Sequence, residues 1–169
     1  MRRAALSAGL ILSLLAAPLW AADPTVDFLP DDPRMTRAEA EAGGTLDKFL
    51  AHALNEHGLG YPNANLKVAF ATPELGTKAA EVIWVARIRR DGDGFSGELA
   101  NEPAALPGLH LGDRVPFSRD QIRDWGWKDH ITGKLFGHYT TRVIVLELPA
   151  AQAAPVLEIL SDTPVPSHW

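Results

Sequence analysis

The chain has 169 residues and a formal net charge of −5, and 46% of its residues are hydrophobic. This length allows one domain of ordinary size with its own core. The acidic balance disfavours nucleic acid as a partner because it repels phosphates, and the absence of cysteine excludes disulfides, thiolate metal sites and a catalytic cysteine.

The first 22 residues have the pattern of a secretory signal peptide. Two arginines precede an apolar run at residues 4–17, which is shorter than the about 20 apolar residues of a membrane-spanning helix. Small residues then offer cleavage after Ala21 or Ala22. We therefore expect a periplasmic or secreted protein, for which an uncleaved membrane anchor is the alternative.

Three segments are expected after the signal peptide: an extended linker at residues 23–35, a single α+β domain at residues 36–162 and a Pro-rich tail at residues 163–169. The domain begins with a helix, because Thr36 and Glu39 form a capping-box pattern and apolar residues then recur at helical spacing. We predict this helix at residues 36–57, kinked or broken at Gly43 and Gly44.

Strand patterns follow this helix. Residues 66–71 alternate in the manner of a half-buried strand. Residues 82–88 are almost continuously apolar, which predicts a central strand buried on both faces. A hairpin turn at residues 91–94 joins it to a return strand at residues 95–99.

The stretch at residues 112–127 links these strands to the rest of the domain. It contains a tight turn and a short edge strand interrupted by Pro116. A helical turn follows, opened by a capping box of Ser118 and Gln121. This turn delivers Trp125 to the core.

Two further elements complete the domain. Residues 141–148 predict another strand covered on both faces, and residues 150–160 predict a helix of two to three turns, limited by Pro155. Together the elements predict an α+β fold with a bent antiparallel sheet of about five strands, either open or partly closed into a small barrel. An N-terminal amphipathic helix packs across this sheet, and a short C-terminal helix follows it.

Several residues of the predicted domain match the pattern of one bacterial family. They are Trp84, Gly97, Asn101, Glu102, Pro103, Gly112, Asp113, Asp124, Trp125, Gly133, Gly137, Thr140 and Arg142. In this pattern the chain resembles domain-of-unknown-function family 2314, the YegJ-like proteins of bacteria, over about residues 65–148. The resemblance implies a small α+β domain and, with a leader, an exported bacterial protein. It supplies no catalytic residues.

The sequence contains no motif for a cofactor or a metal. It has no His-Glu-x-x-His zinc motif, no Gly-x-Ser-x-Gly elbow and no phosphate-binding glycine loop. Asp129, His130 and His138 could form a loose metal site, but loop residues without a tight spacing are usually solvated. We therefore expect no cofactor and no metal.

The candidate site residues come from separate segments. The polar candidates are Glu102, Asp124, Thr140 and Arg142. Asp124 could be a general acid or base, but turn aspartates commonly bond nearby backbone, so we favour a structural brace with Arg123 or Arg142 as its partner. Trp127 is the candidate exposed aromatic, the residue type that often anchors a binding surface.

Two classes of function follow from these patterns. The missing catalytic and cofactor motifs favour a non-catalytic periplasmic binding or interaction module, whose partner is an unknown protein or an envelope component. The alternative is a small cell-envelope hydrolase that uses Asp124 or Glu102 as its acid or base. That alternative requires an open cleft in which two titratable groups reach one substrate atom.

Overall fold

The computed structural model of the protein describes residues 32–72 and 80–169. The predicted signal peptide and most of the predicted linker lie outside these residues. The described residues form three α-helices, six strands and short 3₁₀ turns, which confirms the predicted α+β class. None of these helices combines the length and the apolarity needed to cross a membrane.

The N-terminal helix, α1, spans Pro33–Ala53 and begins and ends earlier than predicted. Asp32 caps it, because its Oδ1 accepts a 2.8 Å hydrogen bond from the Arg34 amide, and the proline that follows suits the first helical position. The helix runs unbroken through Gly43 and Gly44, so the predicted break is wrong. Both glycines are exposed, while packing of the opposite face against the sheet holds the helix together.

The strands of the described residues form one antiparallel sheet. They are β1 (Ala64–Ala71), β2 (Ala80–Asp91), β3 (Gly94–Leu99), β4 (Arg114–Phe117), β5 (Ile122–Lys128) and β6 (Leu135–Gly137). Their order across the sheet is β4-β3-β2-β1-β5-β6. The sheet is open, because β4 and β6 do not pair with each other, so the partly closed barrel is excluded.

The core lies between α1 and one face of this sheet. The fully buried Phe49 and Trp125 stack with ring centroids 4.9 Å apart. Leu66 lies opposite Val85 on β2 and Trp125 on β5, and directly opposed residues share a face of the sheet. Val82 also belongs to β2, but its side chain lies on the face opposite to Val85 and is 41% exposed. Strand β2 is therefore central, but it is covered on one face and not on the predicted two.

Residues 141–148 form a helix and a turn, and the predicted strand is wrong. Helix α2 spans Tyr139–Ile144 and continues into a 3₁₀ turn at Val145–Glu147. The β-branched residues here favour a strand locally, but the carboxylate of Asp124 accepts hydrogen bonds from the first α2 amides. This tertiary cap favours the helix. Helix α3 follows at Ala150–Ile159, with the length predicted for it.

The C-terminal segment packs against the core. The ring of Trp169 stacks on His52 and on Trp125, with centroid distances of 4.6 and 5.8 Å. Pro166 is buried in the same segment. These contacts cover the end of the interface between α1 and the sheet.

Candidate functional site

Two of the predicted polar residues meet at the start of α2. Asp124 is 0% exposed, and its Oδ2 accepts 2.7 Å hydrogen bonds from both the amide and the hydroxyl of Thr140. Its Oδ1 accepts hydrogen bonds from the amides of Trp125 and Tyr139. The carboxylate therefore caps α2 from a neighbouring strand and satisfies amides that a helix start leaves unpaired.

A buried lysine accompanies this carboxylate. Lys67 is 8% exposed and lies opposite Asp124 in the pairing of β1 with β5. Its Nζ lies 3.4 Å from the Thr140 hydroxyl and 5.4 Å from the centroid of the Trp84 ring. Burial raises the pKa of Asp124 to about 6, against the hydrogen bonds from Thr140 and the charge of Lys67, which lower it. A carboxyl with this pKa suits a general base, but both of its oxygens already accept hydrogen bonds.

The predicted arginine partners of Asp124 are not its partners in the structure. Arg142 donates instead from Nε to the Gly137 carbonyl at 3.0 Å and from Nη1 to the Ser161 carbonyl at 2.8 Å. Arg123 donates to the carbonyl three residues before it. Arg142 thus connects α2 with the segment after α3, because its planar guanidinium group donates to carbonyls both before α2 and after α3.

Glu102 lies in the loop between β3 and β4. Its Oε1 is 2.9 Å from His110 Nδ1, and its Oε2 accepts a 2.9 Å hydrogen bond from the Leu111 amide. The Leu111 amide and the His110 ring lower the pKa of Glu102, and Glu102 in turn raises the pKa of His110. Within the described chain, no hydrogen bond connects Glu102 with Asp124, so these two carboxylates hold separate parts of the fold.

Trp127 is partly buried in an aromatic cluster with Tyr61 and Trp169. Its ring meets theirs edge to face, with centroid distances of 6.3 and 5.5 Å. Tyr61 is 46% exposed, so the cluster reaches solvent through this side chain. Trp127 therefore supports an exposed neighbour while it packs against the C-terminal segment.

An open cleft of about 770 Å³ lies where β1, β2, β3 and β4 meet the segment before β1. We call it the arginine cleft, and the residues of its lining used below are Gly60, Asn65, Arg87, Arg89, Glu98 and Arg114. The Gly60 amide donates a 2.7 Å hydrogen bond to the Ile88 carbonyl, which fixes one wall of the cleft. The volume of the cleft lies within the roughly 300–1,000 Å³ typical of ligand pockets.

A strained residue shapes the charge of this cleft. Arg87 has a φ of 47°, in the left-handed region that residues with a side chain rarely adopt. The pairing of β2 with β3 shifts register between Ala86 and Arg89, and such a bulge re-aims side chains. The Arg87 guanidinium lies 3.0 Å from one oxygen of Glu98, whose other oxygen lies 2.9 Å from Arg114. Two arginines thus hold one carboxylate.

Sequence reasoning missed the arginine cleft. Its cations come from β2 and β4 and follow no spacing motif, so only the sheet brings them together. A usable signal was present at residues 87–90, where three of four residues are arginine in a chain whose net charge is negative. Such a local reversal of charge sign marks a candidate binding surface.

The residues of the loose metal site do not assemble. Among residues 32–72 and 80–169, no group of three or more His, Asp or Glu side chains is placed to hold a metal ion. Asp129 accepts hydrogen bonds from the amides of Ile131 and Thr132 in its own turn. The His138 ring packs instead on Trp84, with the centroids 4.8 Å apart.

The comparisons with known proteins confirm the resemblance. A family model described as "Uncharacterized protein conserved in bacteria (DUF2314)" matches residues 32–155. This match covers α1, the whole sheet, Asp124 with its α2 partners and the arginine cleft. No curated protein and no solved structure matches the chain.

Proposed function

The chain belongs to the bacterial family DUF2314, and from this premise we propose that it is a non-catalytic binding module. The chemistry of the arginine cleft carries this proposal. Among the described residues that line the cleft, Glu98 is the one with a carboxylate, and it pairs with Arg87 and Arg114. Guanidinium groups do not release a proton in proteins. The cleft therefore offers shape and positive charge without an acid–base pair.

The two candidate acids support the same function. Each oxygen of Asp124 accepts hydrogen bonds at the start of α2, and Glu102 holds the loop of His110. A hydrolase needs two titratable groups within reach of one substrate atom. The contacts of these carboxylates favour structural roles for both.

The aromatic cluster is a second candidate surface, linked to the cleft through the chain at Tyr61. Tyr61 lies between Gly60 and Pro62, which both line the cleft, and its ring rests against Trp127. Exposed aromatic side chains beside a concave surface are common anchors of binding partners. We assign Trp127 a supporting part in binding, exerted through Tyr61.

We further propose that the module works in the periplasm or outside the cell, on an unknown protein or an envelope component. The signal-peptide pattern of the first 22 residues supports this location. N-terminal sequencing of the protein from fractionated cells tests it. The expected chain starts after Ala21 or Ala22, and a cytoplasmic protein that still starts at Met1 would contradict export.

A turnover assay tests the absence of catalysis. Purified protein is incubated with peptidoglycan, phospholipid vesicles and unfolded polypeptide, and soluble products are measured beside a heat-inactivated sample. We expect no product above that background. Turnover that Glu102→Gln or Asp124→Asn abolishes, at an unchanged melting temperature, would establish the hydrolase instead.

A pull-down from a periplasmic extract tests binding. Tyr61→Ala is compared with Leu111→Ala, because Leu111 is also exposed, at 59%, but lies outside the cleft and the aromatic cluster. We expect the wild type and Leu111→Ala to retain a specific partner that Tyr61→Ala retains weakly. Equal retention by both variants would remove the aromatic cluster from the binding surface.

A further inference from the structure

The arginine cleft has an excess of positive charge in an acidic chain. Its lining contains Arg87, Arg89 and Arg114 against Glu98, a net charge of +2 from three arginines and one glutamate. Glu98 pairs with Arg87 and Arg114. Among the described residues, none forms an ion pair or side-chain hydrogen bond with the third guanidinium, that of Arg89. A guanidinium fork matches a carboxylate in two parallel hydrogen bonds.

An amide side chain without a hydrogen-bond partner in the described chain lies in the same lining. Asn65 is 8% exposed, and within the described chain its side chain has no hydrogen-bond partner. Its polar atoms still reach solvent, so a ligand in the cleft can contact them. The group carries one acceptor and two donors, so it complements a peptide group, which presents a carbonyl and an N–H.

We propose that the arginine cleft binds an acidic segment of an extended polypeptide. A carboxylate of that segment pairs with Arg89, and a peptide group beside it bonds with the Asn65 amide. The inference rests on the proposed binding function and names the chemical class of the partner. Charge complementarity accounts for the sign of the ligand, and the Asn65 amide, with its acceptor and two donors, accounts for the polypeptide character of the ligand.

The same features disfavour other anions. A phosphate polymer presents acceptors but no N–H groups, so it would leave the acceptor of Asn65 unpaired. A membrane surface would meet the protein on an outward face, whereas these groups line a concave cleft. Nucleic acid would also be repelled by the negative charge of the remaining surface.

Fluorescence anisotropy with a labelled synthetic peptide tests the proposal on the purified protein. The peptide alternates glutamate with serine over about ten residues, which span roughly 30 Å when extended. A second peptide carries glutamine in place of every glutamate. We expect the acidic peptide to bind at least about tenfold more tightly, because charged hydrogen bonds contribute about 1.5–3 kcal/mol and 1.4 kcal/mol is a factor of ten.

Three variants locate the binding. Arg89→Gln should weaken binding by about tenfold or more, and Arg89→Lys should weaken it less, because the charge remains while the fork is lost. Asn65→Ala should weaken binding by about fivefold at an unchanged melting temperature. Arg37→Gln is the matched control, because Arg37 is an exposed arginine of α1 outside the cleft, and it should change affinity by less than about twofold.

Several results would overturn the proposal. The glutamine peptide could bind as tightly as the acidic peptide, or the acidic peptide could fail to bind. Arg37→Gln could also weaken binding as much as Arg89→Gln does. Displacement of the peptide by inorganic polyphosphate or phosphatidylglycerol vesicles at a lower concentration than by unlabelled peptide would assign the cleft to another anion. In all these cases the proposed function stands if the pull-down retains its partner. Cleavage of the bound peptide would instead refute the non-catalytic function.

Discussion

At Asp124, a carboxylate without solvent access organises the start of α2. It accepts hydrogen bonds from the amides of Tyr139 and Thr140 and from the Thr140 hydroxyl, and Lys67 lies opposite it in the sheet. The sequence predicted a structural brace at this position but assigned it an arginine partner. Residues 15 and 16 positions away in the chain supply the true partners, and no local pattern encodes that distance.

The titration of Asp124 predicts a pH dependence of stability. Its pKa is about 6 in the folded protein against 3.8 in the unfolded chain. Because the folded state holds this proton more tightly, the contribution to stability is fully present below about pH 4 and is lost as the pH rises through about 6. This rise in pKa corresponds to roughly 3 kcal/mol in the free energy of unfolding.

Urea unfolding at several pH values checks this dependence, with Asp124→Asn as the variant that cannot titrate. The difference in unfolding free energy, wild type minus variant, should fall by roughly 3 kcal/mol from about pH 4 to about pH 7. A difference that rises with pH would mean that the hydrogen bonds at α2 outweigh the cost of burying the charge.

Two glycines with nearly the same φ distinguish the cost of a positive φ from the cost of a steric collision. Gly137 has a φ of 71°, and a Cβ added there would collide with the Trp125 carbonyl and indole ring. Gly133 has a φ of 72° with nothing within 4 Å of an added Cβ. We predict that Gly133→Ala costs about 1 kcal/mol of unfolding free energy and that Gly137→Ala costs at least about 2 kcal/mol more. Chemical denaturation of both variants measures this, and equal costs would contradict the contact at Trp125.

At the scale of elements, local sequence patterns predicted the turns and the alternating strands correctly. They failed where a contact with a residue distant in the chain determines the secondary structure. The capping pair of Ser118 and Gln121 was predicted, and the Gln121 side chain does accept a 2.9 Å hydrogen bond from the Ser118 amide. The helix after β6 was predicted as a strand, because its β-branched residues have strand propensity. Tertiary capping by Asp124 overrides that propensity, and it requires a fold that the local sequence does not specify.

The packing of β3 gives a prediction at this scale. Leu99 is 1% exposed, whereas Leu111 is 59% exposed. Leu99→Asp should unfold the domain, because a buried and unpaired carboxyl group removes a large part of the roughly 5–15 kcal/mol by which domains of this kind are stable. Leu111→Asp makes the same chemical change in solvent and should keep the wild-type melting transition. Far-UV circular dichroism during heating distinguishes them, and a native transition in Leu99→Asp would show that the core is assigned wrongly.

At the scale of the whole molecule, the sheet separates two environments. One face of the sheet packs on α1 through Trp125 and its neighbours. The arginine cleft is lined by residues of β1 to β4, including Asn65. The periodicity of apolar residues predicted the α+β class, because helical and alternating patterns persist over many residues. The cleft could not be predicted, since its residues come from four strands and the segment before β1, and the register of β2 against β3 shifts at Arg87.

Binding of an acidic polypeptide in the arginine cleft, without its cleavage, can be measured directly. Backbone amide chemical shifts, measured by NMR while the glutamate–serine peptide is titrated, test both parts, with mass spectrometry of the recovered peptide. We expect the largest shifts at residues 59–65, 86–89 and 98–100, which line or flank the cleft, and we expect the peptide to be recovered intact. Shifts centred on Thr140 and Asp124, together with a cleaved peptide, would contradict the proposal.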